Sequence, residues 1–346
     1  MKSPSLRMPA EWEAHRSTWL AWPHQKTDWP GKFAPIPWVY GEIVRTLARF
    51  ETVNLIVANA TVKKQAQRVL ASLPHQSKNV VFHSIPTNRS WLRDTGPTFV
   101  KGPSNKSAAI PWRFNGWAKY PDWKVDDRVP GAIAKRAKVP ATVPMHRGKP
   151  VVLEGGGIDV NGAGCVLTTE EWLLSDVQVR NPGLTRADYE SIFATYLGAT
   201  KTLWLGKGIA GDDTHGHVDD LARFVNPTTV VCVREDNAES ENYHPLEENH
   251  ERLAGMTDAR GRKLTVVSLP MPTPIGFRGQ LLPASYANFY IANGVVIVPT
   301  FNDAKDRVAL GILADLFPDR EVVGLYCGDL VLGLGTLHCL SQQEPL

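Results

Sequence analysis

Two spacings alternate along the chain. Short β-branched apolar runs, which read as buried strands, give way to stretches where apolar residues return every three or four positions, as on one face of a helix. Val53–Asn59 predicts a strand. Val62, Ala66, Val69, Leu70 and Leu73 then predict a helix, with Thr61 placed to cap it. Val80–Pro86 predicts the second strand, and a loop carrying Trp91, Arg93 and Asp94 leads to a short strand at Thr95–Val100.

The order returns four times. Ala108–Phe114 predicts a strand, Val125–Ala137 a weak helix containing Pro130, and Ala141–Met145 an extended piece before the glycine-rich loop at Glu154–Gly157. Strand Cys165–Thr169, a helix opened by the capping pair Thr185 and Asp188, and strand Lys201–Leu205 precede the loop Gly211–Asp220. Strand Thr229–Arg234, helix Leu246–Ala254 and strand Leu264–Leu269 lead to the loop Leu281–Asn288. Strand Gly294–Thr300, a helix capped by Asp303, and strand Glu321–Leu325 end at the loop Gly333–Cys339. Five strand–helix–strand units follow at a period of roughly 55–65 residues. In a closed ring, five equivalent loops would converge on one axis. Two stacked α/β domains sharing a cleft would produce the same pattern.

Composition narrows the classes. The 346 residues carry a net charge of +3 with 43% hydrophobic and 21% charged residues, an ordinary globular balance. No Lys/Arg block gives a nucleic-acid footprint. No apolar run approaches the ~18 residues that span a bilayer. The opening residues have one early lysine but no apolar signal region, so a cytoplasmic protein is expected. The four cysteines, Cys165, Cys232, Cys327 and Cys339, lie far apart without a C-x-x-C pair, against a disulfide scaffold or a cysteine zinc site. Eleven tryptophans suit either aromatic pocket walls or a large core.

The predicted loops hold the chemistry. Asp94 sits in W-L-R-D-T-G-P, on a bend that an Asx-turn would also explain. Glu154 enters three glycines in L-E-G-G-G, where backbone or ligand comes close; a β-bulge is the plainer reading. G-D-D-T-H-G-H-V-D-D, Gly211–Asp220, packs four Asp and two His into ten residues. On a strand, His217 and Asp219 would face one cavity together, a general acid/base beside a binding carboxylate. Three cysteines lie in apolar runs, as inert core thiols do, whereas Cys339 follows a glycine-rich turn. His338, its neighbour, would point to the opposite face of a strand, leaving His217 as the better partner for a thiolate. A cysteine, a histidine and facing carboxylates suit a planar guanidinium, which matches carboxylates bidentately.

The ordered segments M-P-A-E-W-E, W-L-A-W-P-H, W-L-R-D-T-G-P, W-R-F-N-G-W, L-E-G-G, G-D-D-T-H-G-H-V-D-D, L-P-A-S-Y-A-N-F-Y and H-C-L-S-Q-Q run nearly end to end. In them the chain resembles the agmatine deiminase / Porphyromonas-type peptidylarginine deiminase family. The resemblance implies an α/β fold, a five-bladed α/β propeller with a central site, and one catalytic domain over residues 1–346. It implies Cys339 as the nucleophile forming a covalent amidino-thioether, His217 as general acid/base and Glu154 as the carboxylate engaging both His217 and the guanidinium. Asp94 and Asp219 would grip the guanidinium and Trp91 would wall the pocket. No metal or cofactor is implied; the partner is a small guanidine, most simply agmatine, and the assembly a homodimer or larger.

Three segments depart from that pattern: G-L-G-T at Gly333–Thr336, Gly157 and Asp159 after L-E-G, and W-R-F-N-G-W-A-K-Y, which lacks a usual glycine. They leave the far end of the substrate open, with Trp112, Trp117, Glu11, Trp12 and Trp22 as candidates. Two other classes remain. One is a metal-dependent hydrolase on Asp212, Asp213, His215, His217 and Asp219. The other is a non-catalytic binder of small cations. Within the deiminase chemistry, peptide arginine or another guanidine is the alternative substrate.

Overall fold

A computed structural model describes residues 6–72 and 77–346. Five times, a strand and its parallel neighbour are joined through a helix, the long crossover that parallel pairing requires. Thr52–Val57 pairs with Val80–Ser84 across the helix Ala60–Ala71. Cys165–Thr169 pairs with Lys201–Leu205 across Arg186–Leu197, and Thr229–Arg234 with Thr265–Pro270 across Tyr243–Gly255. Val295–Thr300 pairs with Glu321–Tyr326 across Asp306–Leu316. The remaining unit is reduced: Ser107–Ile110 is followed by Val129–Ala137, and its parallel partner is a single bridge, Ala109 to Ala141.

Four of the units add an antiparallel strand on the other side, at Thr98–Lys101, Asp159–Val160, Ala222–Asn226 and Tyr290–Ala292. The first unit instead takes His15–Ala21 in parallel, and that strand pairs antiparallel with Ser341–Pro345. Distant parts of the chain therefore share one four-stranded sheet.

Most expected elements stand within two or three residues of their predicted limits. Cys165–Thr169, Lys201–Leu205 and Thr229–Arg234 match to the residue. Thr185 and Asp188 form a full capping box, worth ~1 kcal/mol. Pro130 sits in the first turn of Val129–Ala137, where a missing N–H costs nothing.

Other expectations were wrong. Asn59, not Thr61, caps the first of these helices, its side chain accepting from the Val62 N–H. Leu73 lies outside the described residues. Asp303 does not cap its helix through its side chain, which begins at Asp306; the Asp306 carboxylate takes the Phe301 and Asp303 N–H groups instead. The strand expected at Thr95–Val100 starts at Thr98, because Leu92–Thr95 forms one helical turn.

Candidate active site

Three short helical turns, not strands, set the site. Leu92–Thr95 carries Asp94, Val218–Asp220 follows His217 and carries Asp219, and Leu337–Leu340 carries Cys339. The alternation argument for His217 and Asp219 therefore had the wrong geometry. The two residues do reach one site, because the turn leaves Val218 in the core while both polar side chains turn inward. His338 too lies on a helical turn rather than a strand, and its ring points away from Cys339, to Asp219 and Glu11.

Glu154 is fully buried. Its carboxylate accepts from Trp172 Nε1 at 2.7 Å and from Arg180 Nε at 3.2 Å, and lies 3.4 Å from His217 Nε2. Burial works against its charge, but Arg180 and His217 outweigh that and hold it near 2. His217 Nδ1 lies 3.8 Å from Asp94 and has no hydrogen-bond partner among the described residues. Burial disfavours the imidazolium, yet Asp94 and Glu154 raise His217 to about 9. The ring is thus protonated at neutral pH.

Asp94 accepts from Trp117 Nε1 at 2.8 Å and from the Gly156 N–H at 3.0 Å. Burial, with Glu154 and Asp219 adding to it and His217 opposing, pushes it up to about 6. A Cβ on Gly156 would lie 2.6 Å from His217 Nδ1, 2.9 Å from Asp94 Oδ1 and 3.1 Å from Asp219 Oδ2. Glycine is needed here because three polar side chains close on this point and leave no room for a Cβ.

Asp219 keeps one oxygen, Oδ1, without a partner among the described residues. Its other oxygen lies 2.7 Å from His338 Nδ1 and 3.5 Å from Cys339 Sγ. Asn288 holds the nucleophile turn: its amide donates to Cys339 Sγ at 3.1 Å, and its oxygen accepts from Thr336, His338 N and Cys339 N. Burial pushes the Cys339 thiol well above its usual range, and Asp219, Asp220 and Asp94 push it further. Gly335 completes the turn, since a Cβ there would stand 3.1 Å from Cys339 Sγ. Leu334 beside it adopts φ 70°, a strained value for leucine, and lines the cavity.

These groups open into a cavity of about 300 Å³ lined by Trp91, Asp94, Trp117 and Cys339. At its mouth stand two carboxylate–cation pairs. Asp28 takes Arg89 at 2.5 Å and Trp91 Nε1 at 3.1 Å; Asp213 takes Lys119 at 2.5 Å and the Tyr120 hydroxyl at 2.7 Å. Burial lifts Asp28 to about 6.

All six expected site residues, Cys339, His217, Glu154, Asp94, Asp219 and Trp91, meet in or directly behind this cavity. Of the candidates for the far end, only Trp117 lines it. Trp112 and Trp22 are core, Trp12 packs on the core, and Glu11 lies buried behind His338. Asn288, Arg180, Trp172, Arg89 and Tyr120 were not anticipated. Asn288 could have been found, because it lies inside L-P-A-S-Y-A-N-F-Y; no local pattern marks Arg180.

The proposed metal set does not assemble. Asp212 accepts the loop's own N–H groups from Thr214, Gly216 and His217, Asp213 faces the mouth, and His215 pairs with Ser175. A different trio, Asp219, Asp220 and Cys339, brings ligand atoms within 4.8 Å of one another, but Asp220 is committed to the Asn288 amide and burial holds its carboxyl well above the usual range.

Fold and site together define an α/β enzyme with a buried cysteine–histidine–carboxylate centre. The chain belongs to the Porphyromonas-type peptidyl-arginine deiminase family, whose model matches residues 7–345. A curated protein of Latilactobacillus sakei, provisionally named an agmatine deiminase, is 38% identical across 99% of this chain and 97% of its own length. An agmatine deiminase of Enterococcus faecalis superposes with a TM-score of 0.88 at 33% identity, covering 99% of this chain and 96% of that one. A cysteine-to-serine variant of an agmatine deiminase from C. jejuni, solved with substrate bound, gives 0.87 at 27% identity, covering 99% and 97%. The mixed α/β fold is the one these structures share.

Proposed function

We propose that the protein hydrolyses the guanidinium of agmatine to N-carbamoylputrescine and ammonia through a covalent cysteine intermediate. One observation carries the reading: Asp94, Asp219 and His217 converge on one point beside Gly156, too close to admit a Cβ, and Cys339 Sγ lies 3.5 Å from the Asp219 oxygen that faces that point. A planar cation there meets carboxylates at its edges and the sulfur at its carbon.

In the empty site the thiol is protonated and His217 is charged. The entering guanidinium offsets the carboxylates that hold the thiol up, so the thiol gives its proton to solvent and the thiolate attacks carbon. A C–S bond forms and a C–N bond breaks as His217 gives its proton to departing ammonia. His217, now neutral and oriented by Glu154, takes a proton from water. The water oxygen bonds carbon, the C–S bond breaks and the ureido product leaves with the thiol regenerated.

The mouth supports a substrate with an amine at its far end. It carries the carboxylates of Asp28, Asp122 and Asp213 against the cations of Arg89 and Lys119, with the Trp117 and Tyr120 faces beside them. The family's name favours a second reading, peptide arginine, which would have to present its guanidinium through the same mouth.

The five parallel pairs, each followed by a loop that reaches or borders the site, support five blades of an α/β propeller and one catalytic domain over residues 1–346. Among the described residues no helix is long and apolar enough to cross a membrane; a cytoplasmic, homo-oligomeric enzyme is part of this reading.

The test is ammonia release from agmatine, free arginine and an arginyl peptide, with and without EDTA, by the wild type, Cys339→Ser and His217→Ala. Release from agmatine that needs both residues and survives EDTA is expected. Activity persisting in Cys339→Ser would sink the reading.

A further inference from the structure

His338 was set aside as a poor partner for Cys339, yet both its ring nitrogens are used. Nδ1 lies 2.7 Å from Asp219 Oδ2 and Nε2 lies 2.9 Å from Glu11 Oε2. Both partners are held below their usual range against the cost of burial, Glu11 by Arg223 and His338, Asp219 by His338 and His217. The ring therefore bridges the two carboxylates through both of its nitrogens. Glu11 is itself pinned: Arg223 and the Ile291 N–H donate to one oxygen, Arg93 and His338 to the other. The far end of this chain of contacts is the free Oδ1 of Asp219.

We propose that Glu11 and His338 form a positioning relay. It holds the Asp219 carboxylate in place, with Oδ2 beside the point where Asp94 and His217 converge, and it offsets the field of Asp219 at the Cys339 sulfur. Neither residue touches the cavity; both act through Asp219. The substrate is the one assigned above, and the relay rests on that reading only for the cation's identity.

Cys339 alkylation by iodoacetamide, followed peptide by peptide against pH, tests the relay without substrate. The charged or titratable groups that bear on the sulfur are Asp219, Asp220, Asp94 and the buried Tyr40. His338→Gln removes the ring that bridges Asp219 to Glu11 and is expected to move the alkylation midpoint upward, slowing reaction at fixed pH about tenfold. In an Asp219→Asn background the same substitution is expected to move nothing, because the residue it acts through is gone. Equal shifts in both backgrounds, or none in either, overturn the proposal.

With agmatine, His338→Gln is expected to raise KM about tenfold and change kcat less. Should that variant fail to fold, Glu11→Gln carries the test from the other end: a raised KM with kcat within about threefold supports the relay, and an unchanged KM overturns it. A wild type that alkylates as expected but releases no ammonia from agmatine would reject the substrate and leave the relay standing.

Discussion

The floor and the mouth of the cavity are both built from charged pairs, but under opposite conditions. On the floor, Arg180 and Glu154 have no exposure, and His217 and Asp219 have almost none. At the mouth, Lys119 is 43% exposed and Asp122 40%. Removing one member of a buried pair leaves a charge without solvent, whereas water readily replaces an exposed partner. The floor therefore fixes protonation states, and the exposed Lys119 side of the mouth can vary at little cost to the fold, whereas Asp28 under Arg89 is buried like the floor.

Substitutions should separate the two regions by size of effect. Cys339→Ser is expected to lower ammonia release from agmatine by at least about 10³-fold with little change in melting temperature. Glu154→Gln should both slow turnover, by about 10²-fold, and cost about 3–5 kcal/mol in urea denaturation, since Arg180 loses its counterion. A floor variant as harmless as a mouth variant would erase the contrast.

The pH dependence follows. Asp94, at about 6, must ionise to hold the cation, and His217, at about 9, must stay protonated to serve ammonia. The kcat/KM profile is expected to rise through about 6 and fall through about 9. Stability has its own sign. A histidine raised on folding stabilises fully below its unfolded value of about 6.5, and that contribution is lost as pH rises through about 9. His217→Gln should flatten the melting temperature over that window; an unaltered slope would contradict the assignment.

Asp213→Asn at the mouth is expected to raise KM for agmatine by less than about tenfold and leave kcat alone. Lys119→Ala should be smallest, within about 0.5 kcal/mol in stability and about twofold in KM. A collapse of kcat in either would show that mouth and floor are coupled.

Much of this was legible in the sequence, for local reasons. Strands such as Thr229–Arg234 are marked by β-branched runs, and Thr185 with Asp188 states a helix start in four residues. The candidate site residues could be singled out because they cluster in loops rich in Gly, His and Asp. What escaped depends on three dimensions. The bridge that His338 forms between Asp219 and Glu11 could not be read from its place beside Cys339, because one helical turn replaces the assumed strand. Arg180 and Trp172 gain their meaning only from Glu154, which they reach from other segments. Glu11, a candidate for the far end of the substrate that could equally be read as core, stands buried behind His338.

The strand Ser341–Pro345 begins two residues after Cys339 and pairs with His15–Ala21. In synthesis those strands are made at widely separated times. Until the later one arrives, His15–Ala21 is the edge of its sheet, with a row of open backbone donors and acceptors. The closure that covers this edge is also the one that seats the turn bearing the sulfur. A nascent chain would thus be without its reactive centre until its longest-range pairing has formed, so that capacity for chemistry and completion of the fold arrive together.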